Sequence, residues 1–249
     1  MAKTPVTREI ADQLREKIKQ GELGPGALLP SEPELAEQHG VSRQTARTAL
    51  QLLERDGLVD VQRRRGRTVR SHERLRWRLS DFEHPESTGS STADAWDTDI
   101  ADQGATPSFR DFAVQTITPP PTVATILGLS ATEDRCVCRK RTRCANGHPV
   151  VLSQDYFDER IVRGTELADE ADTQREDILK ETGYEQTYDV DHITARMPDP
   201  DEAHKLQLPT GAPVIEHVRA GYTPHGKAVR ASVSIVPGDA LTLEYVIAT

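Results

Sequence analysis

Ser31-Glu32-Pro33-Glu34-Leu35-Ala36-Glu37-Gln38-His39-Gly40-Val41-Ser42-Arg43-Gln44-Thr45-Ala46-Arg47 is the stretch on which the fold turns. Ser31 and Glu34 have the spacing of a capping box, in which the serine oxygen takes one free N–H of a helix start and the glutamate returns to the serine N–H. The short helix this predicts carries Leu35 and Ala36 on its inner face and stops at Gly40. Ser42 then serves as the N-cap of another helix, whose apolar positions Ala46, Ala49, Leu50 and Leu53 follow the i, i+3, i+4, i+7 pattern until Gly57. Upstream, Thr4-Pro5 opens a helix with Val6, Ile10, Leu14 and Ile18 on one face, ending near Gly21. Three short helices, the last two joined by a tight glycine turn, make a helix-turn-helix.

The polar side of the segment beginning at Ser42 carries Arg43, Gln44, Arg47, Thr48 and Gln51. Such a helix lies in the major groove of a duplex, where arginine pairs bidentately with guanine and glutamine with adenine. Thr45 suits a phosphate or a thymine methyl, and the free N–H groups at the helix start suit a phosphate. Leu58-Val59-Asp60-Val61-Gln62 alternates like a half-buried strand, Arg63-Arg64-Arg65-Gly66 turns, and Arg67-Thr68-Val69-Arg70 returns. The hairpin is a wing whose glycine tolerates a positive φ and whose arginines suit phosphates or a minor groove. Eight arginines and one acid, Glu73, lie between Arg63 and Arg78. Residues 1–78 hold 16 Lys+Arg against 11 Asp+Glu, while the chain as a whole carries a net charge of -9. A basic binding module is thus joined to an acidic body.

With these residues in place, the runs Leu29 to Ala36, Val41 to Arg47 and Leu52-Leu53-Glu54-Arg55-Asp56-Gly57-Leu58 resemble the winged-helix domain of GntR-family regulators over about 70 residues. The resemblance implies DNA contacts from Arg43, Thr45, Arg47 and the wing Gly66, with Ser31, Ser42, Gln44, Arg64 and Arg65 completing the expected interface. Pro33 departs from the pattern, since many members place a basic DNA-contacting residue there.

From Ser80 to Asp97 the composition shifts to Ser, Thr, Asp and Glu, with Pro85-Glu86-Ser87-Thr88-Gly89-Ser90-Ser91 as a flexible spacer. The expected organisation is a winged helix-turn-helix over 1–75, a linker over 76–97 and a second domain over 98–249. The pattern predicts strands near 109–117, 135–145, 149–157, 186–197, 213–223, 227–236 and 241–248, with helices near 121–128, 174–182 and 200–206. Asn146-Gly147-His148-Pro149 and Pro224-His225-Gly226-Lys227 read as hairpin turns. An antiparallel sheet with helices makes the fold class α+β.

Gly104 to Pro107, Arg139 to Pro149, Thr182-Gly183-Tyr184, Leu206 to Val214 and Pro237-Gly238-Asp239 resemble, in their order, the UTRA effector-binding domain, similar in fold to chorismate lyase and found in the HutC-like subfamily. Strand alternation puts Arg139, Arg141 and Arg143 on one face, where a fork of donors suits a carboxylate or phosphate. The same pattern also fits the solvated face of an edge strand. The resemblance implies phosphate contacts from Arg141 and Arg143, with Thr106 to Ser108 close by. Ser153 and Arg230, also expected to line the effector site, stand where phosphosugar-sensing members have glutamates, which argues against a phosphosugar and leaves a ligand-blind regulator as an alternative.

Cys136, Cys138, Cys144 and His148 lack the paired spacing of common zinc sites, and no catalytic motif appears, so neither a metal nor a cofactor is expected. Trp77 and Trp96 flank the linker as packing anchors. No run of 18 apolar residues occurs and the start lacks a secretory pattern, so the chain is expected to be cytoplasmic with reduced thiols. The resulting expectation is a homodimeric repressor released from an inverted-repeat operator by a small molecule. The competing expectations are a ligand-blind dimeric repressor and a chorismate-lyase-like enzyme.

Overall fold

The computed structural model describes residues 6–62, 66–69, 75–79, 95–169 and 178–246, and the chain divides between Arg74 and Leu75 into two compact units. In the first, α1 (Val6–Lys19), α2 (Glu32–His39) and α3 (Arg43–Arg55) pack around Ile10, Leu14, Leu35, Ala46, Ala49, Leu50 and Leu53. Ser31 and Glu34 form both bonds of the capping box. Gly40 adopts a left-handed φ of 63°, and its N–H returns to the carbonyls of Ala36 and Glu37. Because this conformation strains any side chain with a Cβ, glycine permits the two-residue turn to Ser42. β1 (Val59–Gln62) and β2 (Gly66–Val69) pair antiparallel as the wing, with Val59 and Val69 closing the same core. Leu29 N–H donates to the Arg67 carbonyl at 2.8 Å and Val69 N–H to that of Ala27 at 2.8 Å, so the segment before α2 holds the wing from its other edge. The expected cap at Thr4-Pro5 lies outside the described residues.

In the second unit β3 (Leu75–Arg78), α4 (Ala95–Asp102), β4 (Pro107–Ile117), α5 (Pro121–Leu127), β5 (Cys136–Ala145), β6 (His148–Asp158), α6 (Glu159–Val162), α7 (Ile178–Glu181), β7 (Tyr188–Arg196), α8 (Pro200–Lys205), β8 (Val214–Tyr222), β9 (Ala228–Pro237) and β10 (Leu241–Glu244) follow in order. Six of the strands form an antiparallel sheet ordered β4-β5-β6-β9-β8-β7.

Two expectations need correction, and a third is met over the described part of its range. The strand expected at 241–248 does not extend this sheet; β10 pairs parallel with β3 in a separate two-stranded ribbon. The helix expected at 174–182 is described as Ile178–Glu181, residues 170–177 lying outside the described set. The stretch read as linker, 76–97, is folded at both ends, in β3 and at the start of α4. The reason is apolar burial: Trp77, Leu79, Trp96 and Ile100 are buried with Val151, Val236 and Leu241, and the two indoles meet edge to face at 5.4 Å, a geometry that favours aromatic pairs.

Cross-strand partners share a face of a sheet, and the register therefore sorts the second unit into two sides. One is apolar: Cys136, Cys138, Tyr156 and Ala231 pack with Val123 and Leu127 of α5, and Leu152, Ile235 and Val214 with Leu206. Burial raises the thiols of Cys136, to about 11, and of Cys138, which makes them packing groups. The other side has apolar clusters at its two ends, one around Trp77 and Trp96 and one of Val137, Phe157 and Val229 beneath Ile161, Leu167 and Ile178.

Beyond its antiparallel ladder, β7 is tied to β8 by the carboxylate of Asp191. Asp191 accepts a bidentate bond from Arg219 at 2.8 and 2.7 Å, one from His217 Nε2 at 2.8 Å and one from the Tyr245 hydroxyl at 2.9 Å. Burial alone would push this carboxyl up, but the bonds from Arg219 and then His217 overcome it and hold the group well below the usual carboxylate range. A depressed pKa stabilises the fold above the unfolded carboxyl's pKa and ceases to do so as pH falls through the folded value. Stability of the second unit should therefore drop as pH falls below about 4. Asp191→Asn should cost about 3 kcal/mol at neutral pH and flatten that acid limb, as read by urea unfolding at a series of pH values. In the first unit Leu50→Ala should cost about 3 kcal/mol by the loss of a fully buried side chain, in the same assay.

Candidate functional site

The first unit presents a built surface around α3. Ser42 Oγ accepts from Thr45 N–H at 3.1 Å and lies 2.8 Å from Thr45 Oγ1, which fixes the helix start and leaves Arg43, Gln44, Arg47 and Gln51 exposed. Thr48 gives its hydroxyl to the Gln44 carbonyl at 2.9 Å. The expected contact residues Ser42, Arg43, Gln44, Thr45 and Arg47 thus gather on the first turns of one helix. Ser31 belongs to the N-terminus of α2, and its hydroxyl proton is already given to Glu34 at 2.7 Å. Arg64 and Arg65 lie outside the described residues. Gly66 opens β2 with φ at 93°, a backbone conformation that calls for glycine.

The wing arginines divide. Arg67, read from sequence as one of the cationic wing residues, turns inward: its Nε bonds Glu54 of α3 and its Nη1 bonds Glu32 of α2 at 3.1 Å. Arg76 and Arg78 belong to the second unit, where both pair with Glu244, at 3.6 and 3.5 Å. Sequence reasoning missed the Arg67 contacts, because ion pairs across 13 and 35 residues leave no local pattern. Beside Arg67, Ser31 to Glu34, Gly66 and Leu28 line an open cleft of about 330 Å³.

In the second unit the polar face between the two apolar clusters forms two rows across the sheet. One runs Arg139, Asp155, Ser232, Arg219, Asp191; the next runs Arg141, Ser153, Ser234, His217, Ile193. Seven of these, Arg139, Arg141, Ser153, Ser232, Ser234, His217 and Arg219, are buried. The edge-strand reading of the arginines is overturned: β4 lies outside β5, and Arg139, Arg141 and Arg143 are all buried.

Burial of a guanidinium requires compensation. Arg139 Nη1 donates to the carbonyls of Glu166, Leu167 and Asp169 at 3.0 to 3.2 Å. Arg141 stacks on Phe109 and Phe112 at 5.4 and 5.2 Å, and Arg143 on Trp96 at 5.6 Å. Trp77 in turn meets the His217 ring edge-on at 6.0 Å.

The other expected effector residues distribute unevenly. Ser153 sits opposite Arg141, on its face. Arg230 shares the face but is committed to Ser232 Oγ at 2.9 Å and Asp155 at 3.6 Å. Thr106 is exposed, and its backbone is tied to Asn146. Ser108 pairs with Cys144, which directs its side chain to the opposite side of the sheet. That placement corrects the expectation, since a single residue's step reverses the face. Among the described residues no three His, Cys, Asp or Glu side chains gather as metal ligands, and no helix is long and apolar enough to cross a membrane.

Comparison with known proteins identifies the family of both units. Residues 6–69 match the bacterial regulatory proteins of the gntR family, and residues 102–242 match the UTRA domain. The chain is 29% identical to the HTH-type transcriptional repressor NagR of Bacillus subtilis, over 96% of this chain and 93% of that protein. It is 30% identical to the HTH-type transcriptional regulator Rv0792c of Mycobacterium tuberculosis, over 92% of this chain and 81% of that one. Its fold is similar to the crystal structure of PhnF from Mycobacterium smegmatis, with a TM-score of 0.57 at 24% identity over 96% and 99% of the two chains. The chain therefore belongs to the gntR family, joins its helix-turn-helix to a UTRA domain, and is a DNA-binding transcriptional regulator.

Proposed function

We propose that the chain is a cytoplasmic, homodimeric repressor of the HutC-like kind, released from an inverted-repeat operator when a small anion binds the polar face of its second domain. In this reading residues 1–75 contact DNA through Arg43, Gln44, Thr45, Arg47 and the wing tip Arg64 to Gly66, with Ser31 and Ser42 at the helix starts. Residues 98–249 bind the effector and dimerise, and the passage from the first unit runs directly into β3. The observation that carries it is the buried row Arg141, Ser153, Ser234, His217, which offers a guanidinium, two hydroxyls and an imidazole side by side. Such convergent polar groups within an apolar frame are the usual make-up of a ligand site.

The coupling follows from what covers that face. Trp77, on the strand that directly follows the division between the units, rests on His217 and meets Trp96, which lies against Arg143. A ligand that takes Arg143 from Trp96 alters the packing of Trp77 and with it the anchorage of β3, where the chain enters the second unit. Two half-sites about 34 Å apart must be engaged together, so a modest shift in how the linkers leave the dimer lowers operator affinity. Dimerisation is supported by β7, an open sheet edge on which Tyr188, Val190 and Ile193 are exposed, a surface that proteins ordinarily cover. The ligand-blind alternative draws on the internal satisfaction of Arg219 by Asp191 and of Arg230 by Asp155.

Thermal unfolding against inorganic phosphate, dicarboxylates and sugar phosphates separates the two. An effector at 100 times its Kd should stabilise by about 2.7 kcal/mol, and Arg141→Ala should abolish that stabilisation. A flat response to every anion would leave the ligand-blind dimer as the better reading. On a duplex selected by the protein from a random pool, Arg47→Ala should weaken binding by about 1 to 3 kcal/mol and random duplex much less. Equal losses on both would reduce Arg47 to a phosphate contact.

A further inference from the structure

Arg67 stands in the wing of a DNA-binding protein, yet its guanidinium is aimed at carboxylates. Glu54 follows Arg47 by seven residues on α3. At about 100° per residue it lies, in projection down the helix axis, between Arg43 and Arg47 and about 10 Å further along. It therefore borders the side of α3 that carries the groove-facing side chains. Glu32 opens α2 beside the cleft of about 330 Å³ next to the wing. Two carboxylates at these places would repel a phosphodiester strand laid along the surface. Each is engaged by the same guanidinium, from its Nε and from its Nη1. The other acid of the cleft, Glu34, is occupied by Ser31, whose backbone N–H and hydroxyl each donate at 2.7 Å.

We propose that Arg67 serves DNA binding without touching a nucleotide: held between Glu32 of α2 and Glu54 of α3, it masks both carboxylates from the phosphates. The geometry supports the role. The Arg67 side chain is 19% exposed, against 31% for Glu32 and 26% for Glu54, so the group is sheltered but close to the surface. The Arg67 carbonyl also accepts from Leu29, which fixes the backbone from which the guanidinium projects. Arg67 directly follows Gly66, so the clamp also fixes the start of β2.

The test uses the full-length protein, a duplex it selects from a random pool, and two variants. Arg67→Gln leaves Glu32 and Glu54 exposed without a cation and should weaken binding about tenfold, an effect of one lost charge contact. The triple variant Glu32→Gln, Glu54→Gln, Arg67→Gln removes the carboxylates together with their partner and should bind within about threefold of the unmodified protein. Affinities are compared well below each variant's unfolding temperature, so that a merely structural loss, which lowers Tm alone, leaves them unchanged. A triple variant that binds about tenfold or more weakly than the unmodified protein overturns the proposal and makes Arg67 a direct phosphate contact. The triple variant has no uncompensated charge to disturb folding, so it decides the matter even where Arg67→Gln does not fold.

Discussion

A guanidinium taken out of water has to be met by carboxylates, carbonyls or aromatic faces, and that constraint organises both units of this protein. Arg67 gathers the two acids that border the recognition helix. Arg219 locks β7 to β8 through Asp191. Arg139 draws in the carbonyls of the segment after α6, while Arg141 and Arg143 lie on rings contributed by β4 and α4. Each is fixed by a partner distant in sequence, so the positions of the arginines are a result of the tertiary fold more than of their own strands.

The difference explains what was legible beforehand. Caps, the glycine turn and the apolar stripe of α3 involve residues within a few positions of each other, and those features stand in the structure where the spacing places them. Alternation along β5 correctly put three arginines on one face. It carried no information on whether that face was wet, because burial depends on β4 lying outside β5 and on the two tryptophans above the sheet. Ser108 was grouped with the arginines by proximity in a motif, although the register across β4 and β5 sends it the other way. The ends of the linker were legible only in part. Trp77 and Trp96 read as packing anchors, but the strand that Trp77 belongs to is paired with one some 165 residues later, which leaves no local pattern.

The balance of charge on the sensor face bears on what it recognises. Its strands bring Arg139, Arg141, Arg143, Arg219 and Arg230 together with Asp155, Asp189 and Asp191. Three aspartates against five arginines leave the sheet itself cationic, in a body that is otherwise strongly acidic. A neutral polyol would need acceptors as well as donors. The two positions from which the family resemblance leads one to expect glutamate acceptors hold Ser153, which can do either, and Arg230, which can only donate. The aspartate nearest Arg230 is already bound to it and to Ser232. On the proposed effector reading, a face with more donors than acceptors would favour a compact anion over a hydroxyl-rich neutral ligand. Because Arg143 reaches Trp96 and His217 reaches Trp77, the groups that would recognise such an anion are the ones on which the anchors of β3 rest.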